Sequence, residues 1–219
     1  QIFKTAIALG LLLAITVCMD FKGVDESLHG EYFLFMATCT LGMMMLVSSV
    51  ELLTIYISLE LSSSSLYVMV PMRRGYAHDV ETSIKYVLFG AVSSAVMLFG
   101  LSLIYGLTHT TVLADIMPQV PELVRQPLGL AAILLTICGF FFKLTVFPFH
   151  SWAPDVYQGA ANETVTFIAT APKVAAVALL LRLVTLSGLG RSGVVKVLIV
   201  LSDLSLTFRN RIALVPKDL

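Results

Sequence analysis

Three ionisable residues, Glu60, Lys143 and Lys173, stand deep inside long apolar stretches of this sequence. Placing a charge near the centre of a bilayer costs at least about 2.5 to 3.5 kcal/mol on insertion scales, so each such residue needs a partner, a wet cavity or a task. Carboxylates and amines in these surroundings can trade a proton. Hydrocarbon favours a neutral amine, whereas a carboxylate beside it favours the ammonium. The chemistry these side chains could do is proton transfer within a membrane.

Their neighbours recur at helical spacing. Tyr56, Glu60, Ser63 or Ser64, and Tyr67 form one set; Thr136, Gly139, Lys143 and His150 a second; Thr166, Thr170 and Lys173 a third. Steps of three, four or seven lay each set along one helix face. The three faces are expected to enclose a protonatable track, with Glu60, Lys143 and Lys173 as its relay and His150 at its border. Lys85, near the start of its apolar run, is balanced between a snorkelling anchor and a functional charge. Arg182 reads as an anchor, and His29, His78 and His109 as solvated loop residues.

Glu51 has a local explanation. Ser48 followed by Glu51 spells a capping box that would start a helix there. Glu51 also lies on the opposite side of that helix from Glu60, so the two cannot share a proton as a carboxylate pair. Pro148 is expected to free the carbonyl of Leu144 beside Lys143, and Pro172 that of Ile168 beside Lys173. Broken helices with free carbonyls are tolerated in membranes where they line water or protein, and they mark ion paths.

These positions require membrane-spanning elements. Of 219 residues 58% are apolar and only 13% charged, and mean hydropathy is +0.91. A soluble domain carries about twice that charged fraction. A span needs about 20 apolar residues, and seven runs approach this: 3–19, 32–47, 49–70, 83–107, 128–150, 164–186 and 194–214. The expected architecture is an all-α, polytopic transmembrane helix bundle of about seven spans in one membrane domain, 1–219. Gly90 and Ser94, with Ala91 and Ala95, form a small-residue face suited to close packing on a neighbouring helix.

Lys and Arg total 14 and Asp and Glu total 14, which leaves no net charge to draw a nucleic acid. Alternating loops gather Lys22, Arg73, Arg74, Arg209, Arg211 and Lys217 on one side, favouring it as cytoplasmic. Cys18, Cys39 and Cys138 stand singly in apolar runs, as small core residues rather than metal ligands. Gln1 is not an initiator, and an apolar run ends almost at Leu219. The sequence therefore reads as an internal portion of a longer chain.

One word is specific beyond composition: Phe142-Lys143-Leu144-Thr145-Val146-Phe147-Pro148-Phe149-His150-Ser151-Trp152-Ala153-Pro154-Asp155-Val156-Tyr157-Gln158-Gly159-Ala160. It resembles the signature of the antiporter-like membrane subunits of proton-pumping NADH:quinone oxidoreductase, respiratory complex I, and is most similar to the N type. Leu59-Glu60-Leu61-Ser62, Ile84-Lys85-Tyr86-Val87-Leu88-Phe89-Gly90-Ala91 and Ala169-Thr170-Ala171-Pro172-Lys173-Val174-Ala175-Ala176 fit in order, so the resemblance runs from about 45 to 186. Where the family often reads Gly-Ala-Pro-Thr-Pro, this chain has Gly159-Ala160-Ala161-Asn162-Glu163.

The resemblance implies an antiporter-like fold of about fourteen helices with two inverted five-helix repeats and a broken helix in each. Residues 32–186 would approximate the first repeat. It also implies a Glu60 that pairs with the broken-helix lysine, Lys143, a next proton carrier at Lys173, and a further charged position at Lys85. The function it implies is proton translocation in the membrane arm, with the bilayer, protons and other membrane-arm subunits as partners, in the bacterial plasma membrane. NAD, FMN, iron-sulfur clusters and quinone would belong to partner subunits, since this sequence has no glycine-rich phosphate loop and no cysteine cluster. A stand-alone cation/proton antiporter and an inert membrane scaffold are the rival readings.

Overall fold

The computed structural model describes residues 1–17, 23–73, 79–186, 199–200 and 202–207. Its ordered elements are helical: α1 (Ile2–Val17), α2 (His29–Ser48), α3 (Leu52–Met69), α4 (Asp79–Thr108), α5 (Leu113–Ile116), α6 (Val120–Arg125), α7 (Pro127–Leu144), α8 (Trp152–Gly159) and α9 (Asn162–Leu186). Among the described residues, the stretches Glu26–Ser48, Leu52–Met72, Val80–Thr108, Pro127–Leu144 and Asn162–Thr185 are long and apolar enough to cross a membrane.

Five of the seven expected spans are found as such helices among the described residues. α1, of 16 residues, lies over the first apolar run. Most of the run 194–214 lies outside the described residues, as do Cys18, Lys22, Arg74, His78, Arg191, Lys196, Arg209, Arg211 and Lys217.

The capping box does not form. Ser48 ends α2, where its hydroxyl donates to the Met44 carbonyl at 2.6 Å. Ser49 does the same to Met45 at 2.8 Å. Back-bonding of this kind competes with capping. Glu51 is extended and makes no cap hydrogen bond. Instead the chain between α2 and α3 pairs with the segment before α5: the Leu52 amide donates to the Thr111 carbonyl and the Leu113 amide to that of Val50, both at 2.9 Å. Arg182 is more than an interfacial anchor, since its guanidinium donates to the carbonyls of Ser49 at 2.8 Å and Val47 at 3.3 Å. It thereby satisfies carbonyls left over at the end of α2.

Close packing comes from other glycines than those expected. A Cβ on Gly42 would stand 2.8 Å from the Ser62 amide nitrogen, so α2 lies directly on the α3 backbone. One on Gly100 would stand 2.5 Å from the Thr136 amide nitrogen, which sets α4 against α7. Ala91 and Ala95 are exposed, and Gly90 accommodates the ring of Tyr67 rather than a helix backbone.

The fifth apolar run is divided. α7 stops at Leu144 because Thr145 takes a left-handed conformation, φ 55° and ψ 38°, and its amide closes on the carbonyls of Phe141 and Phe142. Pro148 therefore falls in the turn after the break and removes no helical bond, contrary to expectation. Pro172 does lie inside α9, where it leaves the Ile168 carbonyl without a helical amide.

Candidate functional site

Glu60 sits midway along α3, half-buried, and its carboxylate accepts the hydroxyl proton of Ser94 on α4. One helical turn further on, the Ser63 hydroxyl donates to the Leu59 carbonyl at 2.6 Å. Tyr67 meets Tyr86 of α4 edge-on, with ring centroids 4.8 Å apart. The polar face expected on α3 therefore exists and turns toward α4. Of its two candidate serines, Ser63 is buried and Ser64 exposed.

Lys143 is the penultimate residue of α7 and only 6% exposed. Its Nζ is enclosed without a hydrogen-bond partner among the described residues. Glu60 and Cys39 lie within electrostatic reach, yet no described carboxylate forms an ion pair with the amine. An enclosed amine without a direct partner is costly in its charged form. Cys39 is wholly buried. The cysteine read as core filler thus borders the lysine.

Lys173, half-buried on α9, donates to the Tyr157 hydroxyl at 2.9 Å. Its Nζ also lies 5.6 Å from the centre of that ring, within reach of the cation–π attraction. The rest of the third polar set does not join it. Thr166 and Thr170 are exposed, and their hydroxyls return to the carbonyls of Asn162 and Thr166 at 2.8 Å. A threonine satisfied by its own helix can face outward at little cost.

His150 is likewise not on the Lys143 face. The helical spacing that placed it there ends with α7 at Leu144, and the imidazole lies in the turn beside Phe147, centroids 5.6 Å apart. Its Nδ1 is buried without a hydrogen-bond partner among the described residues. Lys85 forms ion pairs with Glu81 at 2.8 Å and with Asp155 of α8 at 3.1 Å. It ties α4 to α8.

The short α8 joins these parts. The Trp152 indole donates to the Phe142 carbonyl at 3.3 Å and stacks on Tyr86 at 4.7 Å. Asp155 holds Lys85, and Tyr157 holds Lys173. Arg73 donates to the carbonyls of Gln158 at 2.7 Å and Gly159 at 3.1 Å. Trp152, Asp155 and Tyr157 escaped the periodicity argument because that argument weighed only charges in long apolar runs. No group of three His, Cys, Asp or Glu residues suited to a metal occurs among the described residues.

Comparison with known proteins places this geometry. The family described as NADH:quinone oxidoreductase/Mrp antiporter, TM, matches residues 49–219, beyond the 186 at which the motifs end. NADH-quinone oxidoreductase subunit N 2 of Syntrophobacter fumaroxidans is 46% identical over 219 residues, covering 100% of this chain and 46% of that protein. Its namesake from Opitutus terrae is 44% identical, with coverage of 100% and 46%. The chain thus spans about half the length of these curated relatives. A chain of respiratory complex I from Thermus thermophilus, solved with bound aureothin, superposes with a TM-score of 0.69 at 34% identity, over 83% of this chain and 39% of that one. A chain of the Mrp complex from a Dietzia species shares the fold, with a TM-score of 0.70 at 21% identity over 78% and 32%.

Proposed function

Because this chain belongs to the NADH:quinone oxidoreductase/Mrp antiporter transmembrane family, we propose that it is part of a proton-translocating membrane-arm subunit of a respiratory NADH:quinone oxidoreductase. Glu60, Lys143 and Lys173 form its intramembrane relay. Residues 32–186 make the first five-helix repeat of the antiporter-like fold. The bacterial relatives support a place in the bacterial plasma membrane. NAD, FMN, iron-sulfur clusters and quinone are held by partner subunits, and other membrane-arm subunits pack against this one.

The observation that carries the reading is the enclosed, unpartnered Nζ of Lys143 beside the α7 break, within electrostatic reach of Glu60. Movement of the Glu60 charge toward the amine favours its protonation. Movement away favours release, because desolvation then prevails over attraction. A small charge displacement thereby loads or unloads a proton. The proton leaves toward Lys173, whose amine is already oriented by Tyr157.

The relatives at 34% to 46% identity favour the redox-coupled complex over a stand-alone cation/proton antiporter, since the Mrp likeness supports the fold alone. The test is Lys143→Arg in the full-length subunit within its complex, with proton uptake measured per electron. Guanidinium keeps its proton at any working pH, so pumping should collapse while the variant still assembles. Wild-type pumping with arginine would make the residue a fixed charge and overturn the relay. Proton exchange by the isolated full-length subunit against a cation gradient, without redox partners, would instead support the antiporter.

A further inference from the structure

We propose that the Tyr157 hydroxyl is itself a proton-carrying group, the one through which Lys173 exchanges its proton with the Lys143 side of the track. The inference rests on the relay reading above and names a residue that reading does not require. Lys173 has one hydrogen-bond partner described for its amine, and that partner is a phenol at 2.9 Å. A phenol both accepts and donates. It can take the ammonium proton on its oxygen while its own O–H passes to a water molecule, leaving a neutral amine, a neutral phenol and a hydronium. Run in reverse, the same step reloads Lys173.

The placement of this hydroxyl is over-determined. Asp155, two residues before it, is tied to Lys85 of α4. Arg73 grips the carbonyls of Gln158 and Gly159, the next two residues. Trp152, at the start of α8, donates to the carbonyl of Phe142, the residue before Lys143, so one short helix touches the neighbourhood of both lysines. Tyr157 also stands edge-on to Trp152 at 6.2 Å. Trp152 stacks on Tyr86, and Tyr86 meets Tyr67, which lies two helical turns beyond Glu60 on α3. The aromatic row therefore runs from the Glu60 region to Lys173 and ends at the Tyr157 hydroxyl.

The contrast between hydroxyl and ring makes the inference testable. Tyr157→Phe keeps the ring under the Lys173 ammonium and removes only the oxygen, whereas Tyr157→Leu removes both. In the full-length subunit assembled in its complex, the rate of proton uptake should fall about a hundredfold in Tyr157→Phe, the low end of what a positioned proton-transfer group contributes. Tyr157→Leu should fall no further. Wild-type uptake in Tyr157→Phe with loss in Tyr157→Leu would overturn the proposal, because the ring alone would then be holding Lys173. Difluorotyrosine at position 157, nearly the same size and a stronger acid, guards against a folding artefact: a changed uptake rate supports the hydroxyl's role, and an unchanged rate overturns it. Lys173→Ala separates the two levels. Wild-type uptake there sinks the relay and this inference together, whereas loss in Lys173→Ala with wild-type uptake in Tyr157→Phe sinks the tyrosine alone.

Discussion

The indole of Trp152 donates to the carbonyl of Phe142 across the break between α7 and α8, at 3.3 Å. Both residues are buried, and the indole adds a second donor to a carbonyl that the Thr145 amide already reaches at 3.1 Å. It fixes where α8 begins, and with it the position of Asp155 and Tyr157.

Trp152→Phe should therefore destabilise the subunit by about 0.5 to 1.5 kcal/mol, the net contribution of one hydrogen bond, because the Thr145 amide still satisfies the Phe142 carbonyl. The remaining ring still covers Tyr86, which confines the loss to the donor. Thermal unfolding of the detergent-solubilised full-length protein would measure it. An unchanged transition would mean that the indole adds nothing to the bond the Thr145 amide already makes with the Phe142 carbonyl.

Glu60→Gln should impair proton uptake far more than Glu51→Gln. The Glu60 carboxylate accepts from Ser94 and acts on Lys143 from mid-helix. Glu51 precedes α3, makes no side-chain cap hydrogen bond, and its carboxylate accepts from the Thr54 hydroxyl at 3.5 Å. Equal losses in the two variants, assembled in the complex, would sink the distinction.

The charges proposed as the relay were legible in the sequence because a carboxylate or amine inside twenty apolar residues has no ordinary explanation. Glu60, Lys143 and Lys173 stand out for that reason alone. The two threonines of the third set were misread because spacing gives a face but not its direction, and Thr166 and Thr170 satisfy themselves on α9. The capping box misled because a serine at a helix junction can cap the next helix or back-bond to the previous one, and only packing decides. His150 was misplaced by carrying helical periodicity through a break that one left-handed residue creates. The role of α8 was hidden because an eight-residue helix between two spans leaves no mark in hydropathy.

Gly100→Ala should loosen the contact of α4 with α7. The added carbon would stand 2.5 Å from the Thr136 amide nitrogen and 2.8 Å from the Ala132 carbonyl oxygen, backbone atoms that cannot swing aside. Overpacking of this kind costs about 1 to 3 kcal/mol. Gly106→Ala, on the same helix with nothing within 4 Å, is the control and should gain up to about 1 kcal/mol from helix propensity. Equal unfolding transitions in the two variants would contradict the close approach.

Lys85 should act through Asp155 rather than as a separate carrier. Its side chain is 43% exposed and that of Asp155 44%, too wet for the pair to contribute much to stability. Its effect is positional, because Asp155 lies on the same short helix as Tyr157. Lys85→Gln and Asp155→Asn should each lower proton uptake modestly while barely moving the unfolding transition. The double variant should be no worse than either single one, since both remove the same link. Glu81 can still hold Lys85 when Asp155 is neutralised, so Glu81→Gln serves as the third arm and should leave uptake near wild type. Additive losses at positions 85 and 155 would show that Lys85 handles protons by a route of its own.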